Sequence, residues 1–403
     1  AATPEDSSDQ GQPEGSRGDL NRLDFGVPAA TLVFMAENAG SALQIPRRRE
    51  VIRSHKERGG LVAAVFPIHY PRALLRTFGI LPVEVWGPPG VNTAPGDAHL
   101  QAYTCNIIRN GLSFLLSGGL EEVDLILIPH GCDSLQGLGS VLLDFIKPRQ
   151  PVLTLYLPRG DADDPGRAIG FFADEFRSLF ASLSSITGRK PSEPELLPFI
   201  KQEEAAEQAR LELFRQRRRL PLTNREFYSL VRSREFLPAE EFARLARNTL
   251  QQTVENPPRG VPIVLSGIVP EPMEILDAIG EAGGIVVADD MVCSGRRLYP
   301  PGEDEEPFRR MAENILLAPP DSTRGSSIEK RIEHLQKLCA DSAARGVIFH
   351  SVKFCEPELF YLPQIRKSLT EMGIRSVETE SDLGERLPYQ MVTRIEAFLE
   401  TLQ

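Results

Sequence analysis

The run VDLILIPHG (123–131) constrains the fold more than any other stretch. Its apolar residues are consecutive, not alternating, so a strand built from it has no solvent face. Strands of that kind belong to parallel sheets covered by helices on both sides. LVAAVF (61–66), VEVWG (83–87) and PVLTLYLP (151–158) read as companion strands. Helical stretches lie between them: one opened by Pro71 and ending near Gly79, one from Leu100 to Leu120 closed by Gly118 and Gly119, and LGSVLLDFI beyond Gly137. This alternation of strand and helix specifies a parallel α/β sheet.

The same punctuation returns after residue 256. VPIVLSGIV (261–269), a helix over 270–282, GIVVADD (284–290), a charged helix over 326–345, GVIFHSVKF (346–354) and a helix from Leu359 to Met372 capped by Gly373 make a second unit. Between 166 and 255 strand signals vanish, and apolar residues fall at helical spacing, as in FFADEFRSLFASL and FARLARNTL. The basic run RQRRRL (215–220) in this connector reads as a solvated helix face rather than an anion or partner patch. Residues 1–20 hold almost no large apolar side chains and read as a disordered tail. The expected architecture is α/β: two Rossmann-like lobes over 21–165 and 256–403 with parallel sheets facing a central cleft, joined by a helical connector over 166–255. A ligand site is expected in the cleft, near the carboxyl ends of the strands.

Composition narrows the function. Of 403 residues, 41% are apolar and 25% charged, as in a globular protein, and the net charge of −11 argues against a broad nucleic-acid surface. No apolar run is long enough to span a membrane and no secretory signal opens the chain, so a cytoplasmic location is expected. There is no G-x-x-x-x-G-K-[ST] loop, no G-x-G-x-x-G after a strand and no G-x-S-x-G elbow. If ATP is used, another chain binds it.

The five cysteines are too few and too scattered for a disulfide framework. Cys132 follows the strand VDLILIPHG, Cys355 follows VIFHSVKF, and Cys105 stands at the start of a helix, where free N–H groups favour an anionic sulfur. Three thiolates converging from separate loops would hold iron–sulfur or zinc. With no C-x-x-C pair, the alternative of small buried hydrophobes stays open. Cys339, on a helix stripe with Leu335 and Leu338, reads as a core residue, and Cys293 as support for the local fold beside Asp289 and Asp290. His130 and His350 close the same two strands as Cys132 and Cys355, and both read more readily as hydrogen-bonded packing residues than as ligands.

The blocks FPIHYPRALLRTFGILPVEVWG (66–87), YTCNIIRNGLSFLLSG (103–118), IPHGCDSLQ (128–136), GGIVVADDMVCSGRR (283–297) and VKFCEPELFYLPQIRKSLTEMGI (352–374) together resemble the benzoyl-CoA reductase and 2-hydroxyacyl-CoA dehydratase family. They keep the family's order and cover most of residues 60–375. The resemblance implies that Cys105, Cys132 and Cys355 ligate one iron–sulfur cluster, a 4Fe-4S cubane or half of an 8Fe-9S double cubane, and that Cys293 is no ligand. It also implies an iron-sulfur subunit of a low-potential enzyme acting on an acyl-CoA thioester, by ring reduction or by dehydration through a ketyl radical. Its implied partners are a paralogous subunit or a second copy, and an ATP-hydrolysing iron–sulfur activator. His69, His130, Arg109 and Glu356 are the residues expected to orient substrate or carry protons, although Glu356 reads first as a cap of the helix that follows it. The rival readings are a double-cubane protein reducing small molecules and a non-catalytic electron-transfer subunit of the same fold.

Overall fold

The computed structural model describes residues 43–160, 164–255, 259–384 and 386–403; the tail expected over 1–20 lies outside them. Every element described below lies within one compact unit, Ile45–Gln403.

Among the described residues, eight strands form two four-stranded, wholly parallel sheets. β1 (Leu61–Val65), β2 (Ile80–Glu84), β3 (Leu125–His130) and β4 (Val152–Tyr156) lie in the order β2-β1-β3-β4. β5 (Val261–Gly267), β6 (Gly284–Met291), β7 (Gly346–Val352) and β8 (Arg375–Ser381) lie in the order β6-β5-β7-β8. The second lobe repeats the first, as the sequence pattern implied. In each sheet the chain leaves the first strand toward one side and returns to the other. The carboxyl ends of β1 and β3, and of β5 and β7, therefore flank a switch point, the place where open parallel sheets bind ligands. Gly267, ending β5, adopts φ 150°, and a Cβ there would meet the His350 carbonyl oxygen at 2.1 Å, so only glycine lets β5 and β7 finish side by side.

Some boundaries differ from expectation. β2 begins at Ile80 rather than Val83, because Pro82 is tolerated on an edge strand with a single neighbour. The helix after β3 starts at Asp133, well before Gly137. It runs to Ser140 and continues as a wider π-type turn over Val141–Ile146. Gly139 inside it has a packing reason: a Cβ there would sit 2.7 Å from the His130 ring. The helix expected from Leu100 begins at Asn106, with Cys105 as its N-cap.

Among its described residues the connector carries helices Pro165–Thr187, Leu196–Arg215, Asn224–Arg232 and Ala239–Leu250 and no strand. The first is capped by the Asp164 carboxylate, which accepts the Arg167 N–H, and ends at Gly188 in the left-handed region. Its Phe172, Phe176, Leu179 and Leu183 share one core with Val65, Leu127 and Leu155 of the first sheet and with Phe308 and Met311 of helix Pro307–Leu316. Burying each such side chain stabilises by about 1.5–3 kcal/mol. The basic run is only partly solvated. Arg217 is buried, donates to the Leu222 carbonyl (3.1 Å) and Asn224 Oδ1 (3.0 Å), and stacks 4.6 Å from the Phe227 ring, while Arg215, Arg218 and Arg219 are exposed. No helix among the described residues is long and apolar enough to cross a membrane.

Buried ion pairs join the lobes. Glu84, closing β2, accepts both guanidinium nitrogens of Arg297 at 2.8 and 2.6 Å, the Tyr70 hydroxyl at 2.9 Å and the Trp86 N–H at 2.9 Å. Burial alone would raise this carboxyl; Arg297, Arg72 and the Trp86 donor outweigh it and hold Glu84 at about 2.

Candidate functional site

Each of three cysteines is the N-cap of a helix: Cys105 before Asn106–Leu116, Cys132 before Asp133–Ser140, and Cys355 before the single turn Glu356–Leu359. Cys132 comes two residues after β3 and Cys355 three after β7, so both stand at the switch points. Cys105 and Cys355 are buried and Cys132 is half-buried. None makes a conventional oxygen-type cap. Instead, the N–H groups of Ile107 and Ile108 lie toward the Cys105 sulfur, those of Ser134 and Leu135 toward Cys132, and that of Glu358 toward Cys355.

The three thiols also share one electrostatic neighbourhood. Burial raises all three, and Cys132 is pushed up to about 12, with Cys105 as its next contribution. Cys355, raised well above its ordinary value by burial, feels Cys105, Glu358 and Cys132 in turn. The fold thus brings together, from both lobes, three sulfurs that repel one another as thiolates and face inward N–H donors.

That donor set fits an iron–sulfur group. Soft thiolates suit it, backbone N–H···S contacts stabilise its anionic sulfurs, and bound cations would remove the penalty on three neighbouring thiolates. Among the described residues no three His, Cys, Asp or Glu side chains form a ready site for a single metal ion. A cubane makes no such demand, since each cysteine ligates a different iron.

The other expected residues separate. Glu356 is exposed beside the cysteines, and its charge helps to raise the Cys105 thiol. Arg109, one turn beyond Cys105, is held by Asp97 at 2.7 Å and feels Asp382, beyond β8. Among the described residues His130 has no hydrogen-bond partner at either ring nitrogen, and it packs edge-on against Tyr156, with centroids 4.7 Å apart. Burial lowers its pKa. His69 lies inside the protein, fully buried, its Nε2 2.9 Å from Asp321 and its Nδ1 3.2 Å from the Tyr299 hydroxyl. His350 pairs with Thr379 (3.0 Å) and the Glu271 carbonyl (2.8 Å), as a packing residue should. Cys339 packs with Leu335, Val347 and Ile365, and Cys293 is buried beside Arg232 and Asp289.

Sequence reasoning missed Ser134, whose hydroxyl hydrogen-bonds Cys105, and the ionic set in which buried Arg296 and Asp321 join the part-buried Glu358; it named Asp290 only as a neighbour of Cys293. The RR run was the available signal for Arg296. Nothing local marks Asp321.

The sequence profile of the 2-hydroxyglutaryl-CoA dehydratase D-component matches residues 67–402, so the chain belongs to that family. Relatives over three quarters or more of its length are dehydratase and reductase subunits. It is 24% identical over 370 residues to the (R)-2-hydroxyglutaryl-CoA dehydratase subunit beta of Acidaminococcus fermentans, covering 88% of this chain and 96% of the relative. It is 24% identical over 362 residues to the (R)-phenyllactyl-CoA dehydratase beta subunit of Clostridium sporogenes, covering 88% and 95%. It is 26% identical over 324 residues to a subunit of the benzoyl-CoA reductase of Thauera aromatica, covering 77% and 82%.

Proposed function

We propose that this chain is the iron–sulfur subunit of a cytoplasmic, low-potential enzyme that acts on an acyl-CoA thioester by dehydration or reduction. In this reading Cys105, Cys132 and Cys355 hold the cluster, a separate ATP-hydrolysing activator delivers the electron, and a paralogous subunit or a second copy completes the enzyme. The observation that carries it is the meeting of these three thiols at helix N-termini drawn from both lobes. A cluster bound there would supply an electron of low potential and one iron without a cysteine ligand. Around it the chain's own groups divide the work. Ile68, buried against Gly131, packs on the loop that carries Cys132. The Glu356 carboxylate, exposed beside Cys105, would hold a substrate proton or hydroxyl. The free ring nitrogens of His130 can pass a proton behind Cys132. Tyr103 and Phe360, both more than half exposed and within five residues of a site cysteine, suit a surface buried against a partner.

Anaerobic iron and acid-labile sulfide analysis tests the reading. About four irons per chain are expected for a cubane, with most lost in Cys132→Ser. Equal sulfide and iron fits separate cubanes, and an excess of sulfide fits the bridged cluster of a double cubane. A wild-type chain without iron under strict anaerobiosis would overturn it. Thioester turnover with an activator then separates dehydration from reduction.

A further inference from the structure

The turn carrying Cys355 is short and held by a few backbone bonds: the Cys355 N–H donates to the Val352 carbonyl at 3.1 Å, and its carbonyl accepts the Leu359 N–H at 3.0 Å. Phe354 before it adopts φ 63°, a conformation an aromatic residue disfavours, and the helix after it is one turn long. Glu358 ties that turn to the rest of the lobe. Its N–H donates to the Cys355 carbonyl at 3.1 Å, while its carboxylate accepts two bonds from Arg296, at 2.6 and 2.8 Å, and one from the Ser322 hydroxyl.

Arg296 is wholly buried and itself anchored. Its other edge meets Asp290 at 3.2 and 3.1 Å, and Asp321 lies 3.5 Å away. Asp290 is held by Arg331 at 2.7 Å and by the Ser266 hydroxyl at 2.6 Å. Asp321 bonds His69 of the first lobe at 2.9 Å. The contacts thus run from the Cys355 turn to the loop after β1. Three carboxylates and two guanidiniums packed this way stabilise a fold less than apolar residues of the same volume would. Their geometry points to a task at the turn they surround.

We propose that Glu358 and Arg296 are positioning residues for the Cys355 sulfur. The clamp fixes its direction toward Cys105 and Cys132, and the Glu358 carboxylate places a fixed negative charge beside the group those thiols hold. This rests on the functional reading above and adds residues that reading does not use. The closeness of the Glu358 charge to Cys355 agrees with it.

The test compares the full-length wild type, Glu358→Gln and Arg296→Lys after anaerobic reconstitution with ferrous iron and sulfide. Glu358→Gln keeps the size and an acceptor for Ser322 but removes the charge. It is expected to take up the same iron as wild type with a midpoint potential shifted positive, because reduction adds negative charge to a site now less negative. Arg296→Lys keeps the charge but loses the fork. It is expected to lose iron to a chelator several-fold faster, and in the metal-free chain to show faster hydrogen exchange over 353–358 with β1 and β3 unchanged. If Arg296→Lys does not fold, Glu358→Gln alone decides. Full iron with an unchanged potential and unchanged electron paramagnetic resonance spectrum in Glu358→Gln overturns the proposal, as does a lowered melting temperature with the potential unmoved. A wild-type chain that takes up no iron overturns the functional reading and this inference with it, which a shift-free variant of an iron-loaded protein does not.

Discussion

His69 illustrates how burial decides what a side chain does. Desolvation lowers it to about 4 despite the Asp321 carboxylate beside it, with Arg324 and Arg297 also opposing its charge. Its folded pKa therefore lies below the unfolded value near 6.5. Its contribution to stability is full above pH 6.5 and is lost as pH falls from 6.5 toward 4, amounting to roughly 3 kcal/mol for a shift of that size. Urea midpoints of the wild type should fall between pH 7 and pH 5, and the drop should be smaller in His69→Asn, a residue that accepts the φ of 56° found here. An unchanged slope would show that His69 is not the group responsible. The sequence displays His69 and His130 equally well, and only the fold separates a histidine with both nitrogens engaged from one with neither. The reason is physical: the partners of His69 lie 230 and 252 residues away.

At the scale of elements, the strands buried on both faces were legible and the polar edge was not. β3 is read directly from LILIPH because water touches almost none of it. β8, RSVETES, alternates charge and hydroxyl along a half-exposed edge, so no apolar run announces it or the closing helix Tyr389–Thr401 beyond it. The connector was legible as helix, but its role was not. Phe172 and Phe176, with ring centroids 4.3 Å apart, belong to the core of the first sheet rather than to a spacer. Phe176→Ala should therefore lower stability by about 3–5 kcal/mol, as large-to-small core changes do. Chemical denaturation would measure it, and a loss below about 1 kcal/mol, as at exposed positions, would contradict this packing.

Across the whole molecule, the cysteine pattern alone leaves metal ligands and buried hydrophobes both open. The order of sequence blocks indicates the family, and the folded chain brings the three thiols together. What holds the lobes was hidden, because Glu84 and Arg297 are 213 residues apart. Arg297→Met would leave Glu84 buried without its bidentate partner, a change that costs about 3–5 kcal/mol. A fall in the denaturation midpoint is expected, with partial recovery in the double variant carrying Glu84→Leu; an undiminished midpoint in the single variant would mean the pair does not join the lobes.

The division of the three thiols between the two lobes sets a timetable for biosynthesis. Cys105 and Cys132 emerge from the ribosome together, but their third companion follows 223 residues later. At roughly 5–20 residues per second, the first lobe waits on the order of ten to forty seconds with two thiols and no third. Its own sheet can be complete by then. No fragment ending before β7 can bring the three thiols together, and a stalled or clipped polypeptide would carry Cys105 and Cys132 without Cys355.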